Sequence, residues 1–565
     1  MEGQRGERWA NSIFFIFLIC FAVVLLITEK DIGVTYDEPA YFSRVLTLTN
    51  SSLGFFERFE QFRPPNHGTF MFLFSSAFYV LGRDMLDITS ALRLGTIVLY
   101  LLFLWTVFLV LKRECGKFGA WASIIILISI PQIFFHSHLL ALDFPVMVFF
   151  FWSVVSFYRA KSTKKKLWTV ITAASLAALL ATKITGIVIF PVLFILSGIL
   201  TTEKEGEKKI SILVNRKKIK KLVAVFLLAA LFFLVISPQI YKNPLSWVEY
   251  VKFHSERRDS VFLFSDLHES VSPVSWLYVP FSLITTMNVI YVWLALFGAI
   301  MIWKYRKENQ FLAYLLKVFI IAAIVFSSPL AFKGDGPRHF LLLYPFMAVF
   351  AGFGCKIIIT SLTEFSEKIK ADEKRKQVVK SGVIIIMVVV SAVTIIRAHP
   401  FESSYFNLAV LGTKGVVENN FYTITYWQDE FRQILPWLNK LPENTSVSAH
   451  PYHAPLRWYQ RIGSLRRDIR LDEINPDYFI VPLRQSQFMF DVVFPYREWG
   501  QFSKLKPVFT VKNNQGVDLV RVFNLTELKK SEWRVVVIVT EETDPPTIVL
   551  QQAKNTTKVE RPRFK

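Results

Sequence analysis

Residues 93–135 read RLGTIVLYLLFLWTVFLVLKRECGKFGAWASIIILISIPQIFF, two apolar runs separated by Lys112, Arg113 and Lys117. Each run, 93–111 and 118–135, has roughly the length an α-helix needs to cross a bilayer core. Comparable stretches recur near 13–28, 144–158, 167–181, 184–200, 222–240, 280–302, 311–330, 339–354 and 381–396. The pattern predicts a polytopic α-helical membrane protein with about 11 transmembrane helices. The 565 residues are 53% hydrophobic and only 19% charged, with a mean hydropathy of +0.38. Soluble globular, disordered and collagen-like classes are excluded by these values. Cys20, Cys115 and Cys355 form no CxxC pair and no even-numbered framework, so neither a disulfide-stapled module nor a cysteine zinc site is expected.

A net charge of +21 would suggest a nucleic-acid partner in a soluble chain. Here the basic residues lie in short clusters between apolar runs, so they read as topology signals and no nucleic-acid partner is expected. The run 69–82 (TFMFLFSSAFYVLG) is short for a span and reads as an interfacial helix. If it does not cross, the clusters at 112–117, 159–166, 204–221, 304–307 and 356–380 fall on the side of Arg5 and Arg8. That side is the richer in Lys and Arg, which places the N-terminus in the cytoplasm and the C-terminal tail outside. No small-residue cleavage site follows 13–28, so this helix reads as an uncleaved first span.

Two domains are expected: a transmembrane module over 1–396, whose exoplasmic loop 29–92 carries a juxtamembrane helix, and an exoplasmic α/β domain over 397–565. In the second, period-2 segments at 445–450, 477–483, 507–511, 517–523 and 533–539 predict strands, with NNQG (513–516) as a hairpin turn. Residues 427–440 put Phe431, Ile434, Leu435 and Leu438 on one helical face, interrupted by Pro436.

Charged residues beside membrane spans are functional candidates by default. Five exoplasmic places carry them: Thr35-Tyr36-Asp37-Glu38-Pro39; His136-Ser137-His138 with Asp143; Lys183 in ATKITG; Arg257 and Arg258 in HSERRDS; and Lys333, Arg338 and His339 in FKGDGPRHF. Carboxylates beside fixed cations suit one chemistry, in which a carboxylate takes the proton of an acceptor hydroxyl while cations neutralise a phosphate leaving group. Neither GTKG (412–415) nor AGFG (351–354) matches a Walker A or GxGxxG sequence. Plainer readings exist for each place. Asp37-Glu38 would serve as a solvated acid pair, Asp143 as a helix cap, Lys183 as a snorkelling side chain, and Arg257 and Arg258 as lipid-phosphate contacts. The HSH pair has no third ligand at a metal spacing and reads as loop histidines.

Taken in order, these motifs resemble the dolichyl-phosphate-mannose protein mannosyltransferase family and its prokaryotic relatives, the polyprenyl-phosphate-sugar-dependent glycosyltransferases of GT-C architecture. The matching stretches are TYDEP, NHGTFMFLFSSAFYVLG, RLGTIVLYLLFLW, SHLLALDFPVMVFFF, LLATKITGIVIFP, PRHFLLLYPFMAVFAG and HPFESSYFNLAVLG, spread over roughly residues 13–430. The resemblance implies transfer of one sugar, with inversion, from a polyprenyl- or dolichyl-phosphate carrier to an exoplasmic protein, lipid or glycan. On the matching positions Asp37 would be the general base, Glu38 would orient it or the acceptor, and Asp143 would support donor sugar or acceptor. Lys183 and Arg338 would face the carrier phosphate, with Arg257, Arg258, Lys333 and His339 as further candidates and Tyr36 and His138 in support. His138 stands where many relatives carry Arg. The chain lacks the long lumenal insert of the eukaryotic enzymes, which favours a prokaryotic cell membrane over the endoplasmic reticulum. Asp37 and Asp143 are candidate ligands of a divalent cation, yet a cation-lined phosphate site makes one unnecessary, so no cofactor beyond the lipid-linked donor and the surrounding membrane lipids is expected. The competing readings are a ligase or polymerase of lipid-linked oligosaccharides, a transporter or flippase, and a membrane scaffold.

Overall fold

The computed structural model describes residues 2–62, 68–198, 200–205, 209–241, 243, 245–256, 260–269, 271–329, 331–334, 336–368, 373–450, 453–471, 476–483, 506–526, 533–538 and 547–552. Among the described residues, six helical stretches are long and apolar enough to cross a membrane: Trp9–Thr28, Ile88–Ile128, Arg216–Ile236, Gln310–Ser327, Gly336–Phe365 and Lys380–Ala398. Two further pairs, Pro131–His138 with Asp143–Thr163 and Pro273–Thr285 with Val289–Lys304, each bend by 110°. Many of their apolar side chains face outward, as with Ile16 at 60% and Ile396 at 70% exposure. Faces of this kind are stable only against lipid, and the protein is an integral multi-pass membrane protein.

Among the described residues every expected apolar run falls largely on helix, but several are shorter or more broken than a simple span. The stretch Ile88–Ile128 breaks at Gly116, whose φ of 75° and ψ of 173° are not helical. Phe108 and Trp121 nevertheless bring their rings to 5.5 Å, and both pack on Phe14, so the chain reverses there and the two expected helices remain two. The run expected over 118–135 splits at Pro131, which lacks an N–H and restricts the residue before it. Phe70–Gly82, Lys166–Leu180 and Ile184–Ser197 are apolar helices below spanning length.

Polar contacts sort the loops into two faces. Lys112 Nζ donates to Asn11 Oδ1 at 2.7 Å, Arg159 pairs with Glu114 at 2.6 Å, Lys161 Nζ reaches the Leu196 carbonyl at 2.7 Å and Lys218 Nζ the Gly198 carbonyl at 2.9 Å. The basic turns therefore gather at the end where the first helix begins, and the acidic loop follows its other end.

That acidic loop is tied down by one side chain. Arg93 is 1% exposed and pairs with Glu29 at 2.9 Å and Glu38 at 2.6 Å, while also donating to the carbonyls of Ile32 (3.1 Å) and Gly33 (2.9 Å). Glu38 further accepts from Leu140 N and Thr35 N, both at 3.0 Å. A guanidinium satisfied on all sides is the form in which a buried charge is tolerated.

The tail folds as expected into strands with a small mixed sheet. Ser446–Ala449 runs parallel to Arg470–Leu471 and Tyr478–Pro482, and Asp518–Asn524 lies antiparallel between Tyr478–Pro482 and Phe509–Lys512. Gly516, at φ 74°, turns the 513–516 hairpin, and Trp533–Ile538 pairs separately with Thr547–Gln552. The helix predicted over 427–440 appears as a 3-10 turn, Asp429–Ile434, followed by Leu435–Leu438 with Pro436 in its first turn. Its predicted face is the buried one, since Phe431, Ile434, Leu435 and Leu438 all lie in the core.

Replacing Arg93 by Met is expected to destabilise the protein by about 3–5 kcal/mol, because two buried carboxylates lose their counter-charge. Thermal unfolding of the purified protein in detergent checks this, and Glu29→Gln should cost clearly less.

Candidate active site

Asp37 is held from two directions. Its Oδ2 accepts from Arg338 Nη1 at 2.9 Å and from Trp427 Nε1 at 3.0 Å, while Arg338 Nη2 donates to the Tyr36 hydroxyl at 3.2 Å. Among the described residues nothing bonds to Oδ1, and the side chain of Asp37 keeps 26% exposure. The Arg338 guanidinium lies 4.6 Å from the centre of the Trp427 ring, a cation–π contact in a water-poor setting. Arg338 sits in the 3-10 turn Gly336–Leu343, entered through Gly336 at φ 74°, where a side chain would strike the Tyr426 ring. Only glycine suits that position.

A second ion pair lies nearby. Lys183 Nζ meets Asp143 Oδ1 at 2.6 Å, and both are buried. Asp143 opens the helix Asp143–Thr163, and Lys183 sits in the turn between Lys166–Leu180 and the 3-10 turn Ile184–Val188. The charges of Asp143, Arg338 and Asp37 all act on Lys183, so the two pairs form one cluster. Two cations and two carboxylates balance one another before any ligand arrives.

The remaining sequence candidates have other places. Glu38, one residue from Asp37, turns inward to Arg93 and does not face the cluster's open side. Lys333 Nζ donates to the carbonyls of Ser275 (3.3 Å) and Ser327 (2.8 Å) and to Ser275 Oγ (3.1 Å), joining the 3-10 turn Pro273–Leu277 to the end of the helix Gln310–Ser327. His339 packs edge-on against Phe332 with ring centres 4.6 Å apart. In His138, Nδ1 lies 2.6 Å from the Phe134 carbonyl and Nε2 2.9 Å from Thr28 Oγ1, so this ring fastens the end of the first helix. Arg257 and Arg258 lie outside the described residues. Among the described residues, no group of three His, Cys, Asp or Glu is placed to hold a metal ion.

Two participants escape the sequence reading, and a third is read there only as a loop histidine. Arg93 appears there only as a letter inside an apolar run. Trp427 lies 390 positions from the carboxylate it contacts. His136, the neighbour of the singled-out His138, is the ring that turns toward Trp427, with centres 5.2 Å apart.

The segment carrying Trp427 is locked onto the membrane module. Tyr36 N donates to the Trp427 carbonyl at 3.1 Å and Val34 N to the Tyr459 hydroxyl at 2.7 Å, while within the tail Ser403 Oγ donates to Asp429 Oδ2 at 2.8 Å. A Cβ on Gly33 would lie 1.8 Å from the Asp429 carbonyl oxygen, so that close approach requires glycine. Burial pushes the Asp429 carboxyl up to about 7 and Glu430 well above the carboxylate range, the latter also repelled by Asp429. His399, just after the last span, bonds Glu402 at 2.7 Å and Asp31 at 3.2 Å.

Residues 67–214 match the family model of dolichyl-phosphate-mannose-protein mannosyltransferases. That stretch contains Arg93, His136, Asp143 and Lys183, while Asp37, Arg338 and Trp427 lie outside it. No curated protein matches the chain. Among solved structures, apo ArnT from Cupriavidus metallidurans aligns over 91% of this chain and 98% of that one, at 12% identity and a TM-score of 0.46. ArnT from the same organism bound to undecaprenyl phosphate aligns over 90% and 97%, at 13% identity and a TM-score of 0.42. The oligosaccharyltransferase AglB from Archaeoglobus fulgidus, in complex with an inhibitory peptide and a dolichol-phosphate, aligns over 91% and 74%, at 12% identity and a TM-score of 0.43.

The His399 contacts predict a pH dependence. Burial opposes its charge, but the hydrogen bonds and charges of Glu402 and Asp31 outweigh burial and raise it to about 8. A raised histidine contributes stability that is complete below about pH 6.5 and lost as pH rises through about 8. Melting temperatures measured from pH 6 to 9 should show a gap between wild type and His399→Gln that closes across this window.

Proposed function

We propose that the protein is a glycosyltransferase that moves a sugar from a polyprenyl-phosphate donor to an acceptor hydroxyl or amide on the exoplasmic side, with inversion at the anomeric carbon. The observation that carries this is the state of Asp37: one carboxylate oxygen is fixed by Arg338 and Trp427, while the other has no partner among the described residues and a second charged pair lies nearby. A base fixed in this way loses little freedom when it takes a proton from an acceptor. The match of residues 67–214 to a family named for dolichyl-phosphate-mannose supports a lipid-phosphate donor.

In this reading Asp37 Oδ1 receives the acceptor proton as the acceptor oxygen or nitrogen attacks the anomeric carbon. The bond from that carbon to the phosphate oxygen breaks, and its electrons leave with the phosphate. Lys183 and Arg338 stabilise the charge that grows there. A phosphate leaves without needing a proton, so one carboxylate suffices, whereas glycoside hydrolysis canonically uses two. Each cation already holds a carboxylate, so donor binding must share Lys183 between Asp143 and the phosphate. Glu38 acts as a positioning residue through Arg93. In the same reading the N-terminus lies in the cytoplasm and the domain over 397–565 outside, which the gathering of basic turns at one face supports, and the membrane is that of a prokaryotic cell, which the lack of a long lumenal insert supports.

Asp37→Asn is expected to lower turnover by about 100-fold or more with donor affinity kept. Arg338→Ala should reduce both donor affinity and turnover. Initial rates over a range of donor concentrations in proteoliposomes separate the two, and normal rates in folded variants would remove the respective roles.

A further inference from the structure

His136 is fully buried, and among the described residues neither ring nitrogen has a hydrogen-bond partner. Unmade hydrogen bonds at buried nitrogens are costly, and native proteins keep few of them. The ring belongs to the short helix Pro131–His138 at the bend before Asp143. It packs against Phe135 and Trp427, each with ring centres 5.2 Å away, and lies within electrostatic reach of Asp143, Lys183 and Arg338. Its ring thus adjoins the indole that holds the base and lies within electrostatic reach of the cations assigned to the phosphate. Under the glycosyltransferase reading, on which this inference rests, the group between base and phosphate is the transferred sugar.

We infer that His136 hydrogen-bonds a hydroxyl of the donor sugar and so sets which sugar is accepted. A neutral imidazole offers one donor and one acceptor, which together match a hydroxyl that both gives and takes a hydrogen bond. A phosphate oxygen would use only the donor and leave the other nitrogen orphaned. Specificity follows from the same burial, because a donor lacking that hydroxyl leaves both nitrogens unpaired.

The test is binding, read separately from transfer. Bare undecaprenyl and dolichyl phosphates, and the same carriers loaded with mannose, glucose, galactose or 4-amino-4-deoxyarabinose, are titrated into the full-length protein in nanodiscs. The wild type should bind its preferred loaded carrier about 10-fold more tightly than the bare one, the scale of a buried hydrogen bond. His136→Leu should close that gap while keeping affinity for the bare carrier, and His136→Gln, which retains a donor and an acceptor, should recover part of it. A gap that survives in His136→Leu, or an equal loss of bare-carrier affinity, would overturn the inference. Because no step in this assay needs Asp37 to act as a base, failure of the transferase reading would appear instead as absent transfer by a protein that still distinguishes loaded from bare carriers.

Discussion

A guanidinium buried at 1% exposure between two carboxylates is the constraint on which the first loop depends. Arg93 reaches the end of the first helix through Glu29, the loop backbone through Ile32 and Gly33, and the start of the juxtamembrane helix through Glu38. Glu38 in turn accepts from Leu140, two residues beyond the HSH stretch. One side chain thus fixes the loop that carries Asp37 relative to the bend that carries His136 and Asp143. Its charge is acceptable at that depth only because every donor direction is answered.

The same logic explains why the tail domain is more than an appendage. Trp427 supplies one of the two donors to Asp37 and the aromatic face against Arg338, so the carboxylate is oriented by groups hundreds of residues apart in sequence. Gly33 lets the loop backbone approach that of Asp429, and Gly336 lets the Arg338 turn approach the Tyr426 ring. Asp37 is therefore oriented as much by the segment around Trp427 as by its own loop.

Much of this was legible in the sequence. Apolar length and the placement of Lys and Arg gave the membrane class, and period-2 patterning located the tail strands, because both depend on local composition. Asp37, Asp143, Lys183 and Arg338 stood out since charge beside an apolar run needs a reason. What local pattern does not carry is direction. Asp37 and Glu38 are adjacent, yet one faces the open cluster and the other the buried Arg93. His136 and His138 are two apart on one short helix, and only the former turns toward Trp427. Lys333 looked like a phosphate ligand beside Arg338, while its ammonium is engaged by Ser275 and Ser327. Pro131 and Gly116 break helices that hydropathy alone reads as continuous or simply separate.

The central claim is that Asp37 is the base of a lipid-phosphate-dependent transfer. Its most direct measurement is the release of polyprenyl phosphate from labelled polyprenyl-phosphate sugars in proteoliposomes supplied with acceptor-bearing membranes, for wild type and folded Asp37→Asn. The account predicts release from a preferred donor by the wild type and nearly none by the variant. Release at the wild-type rate by Asp37→Asn, or no release from any donor, would contradict it.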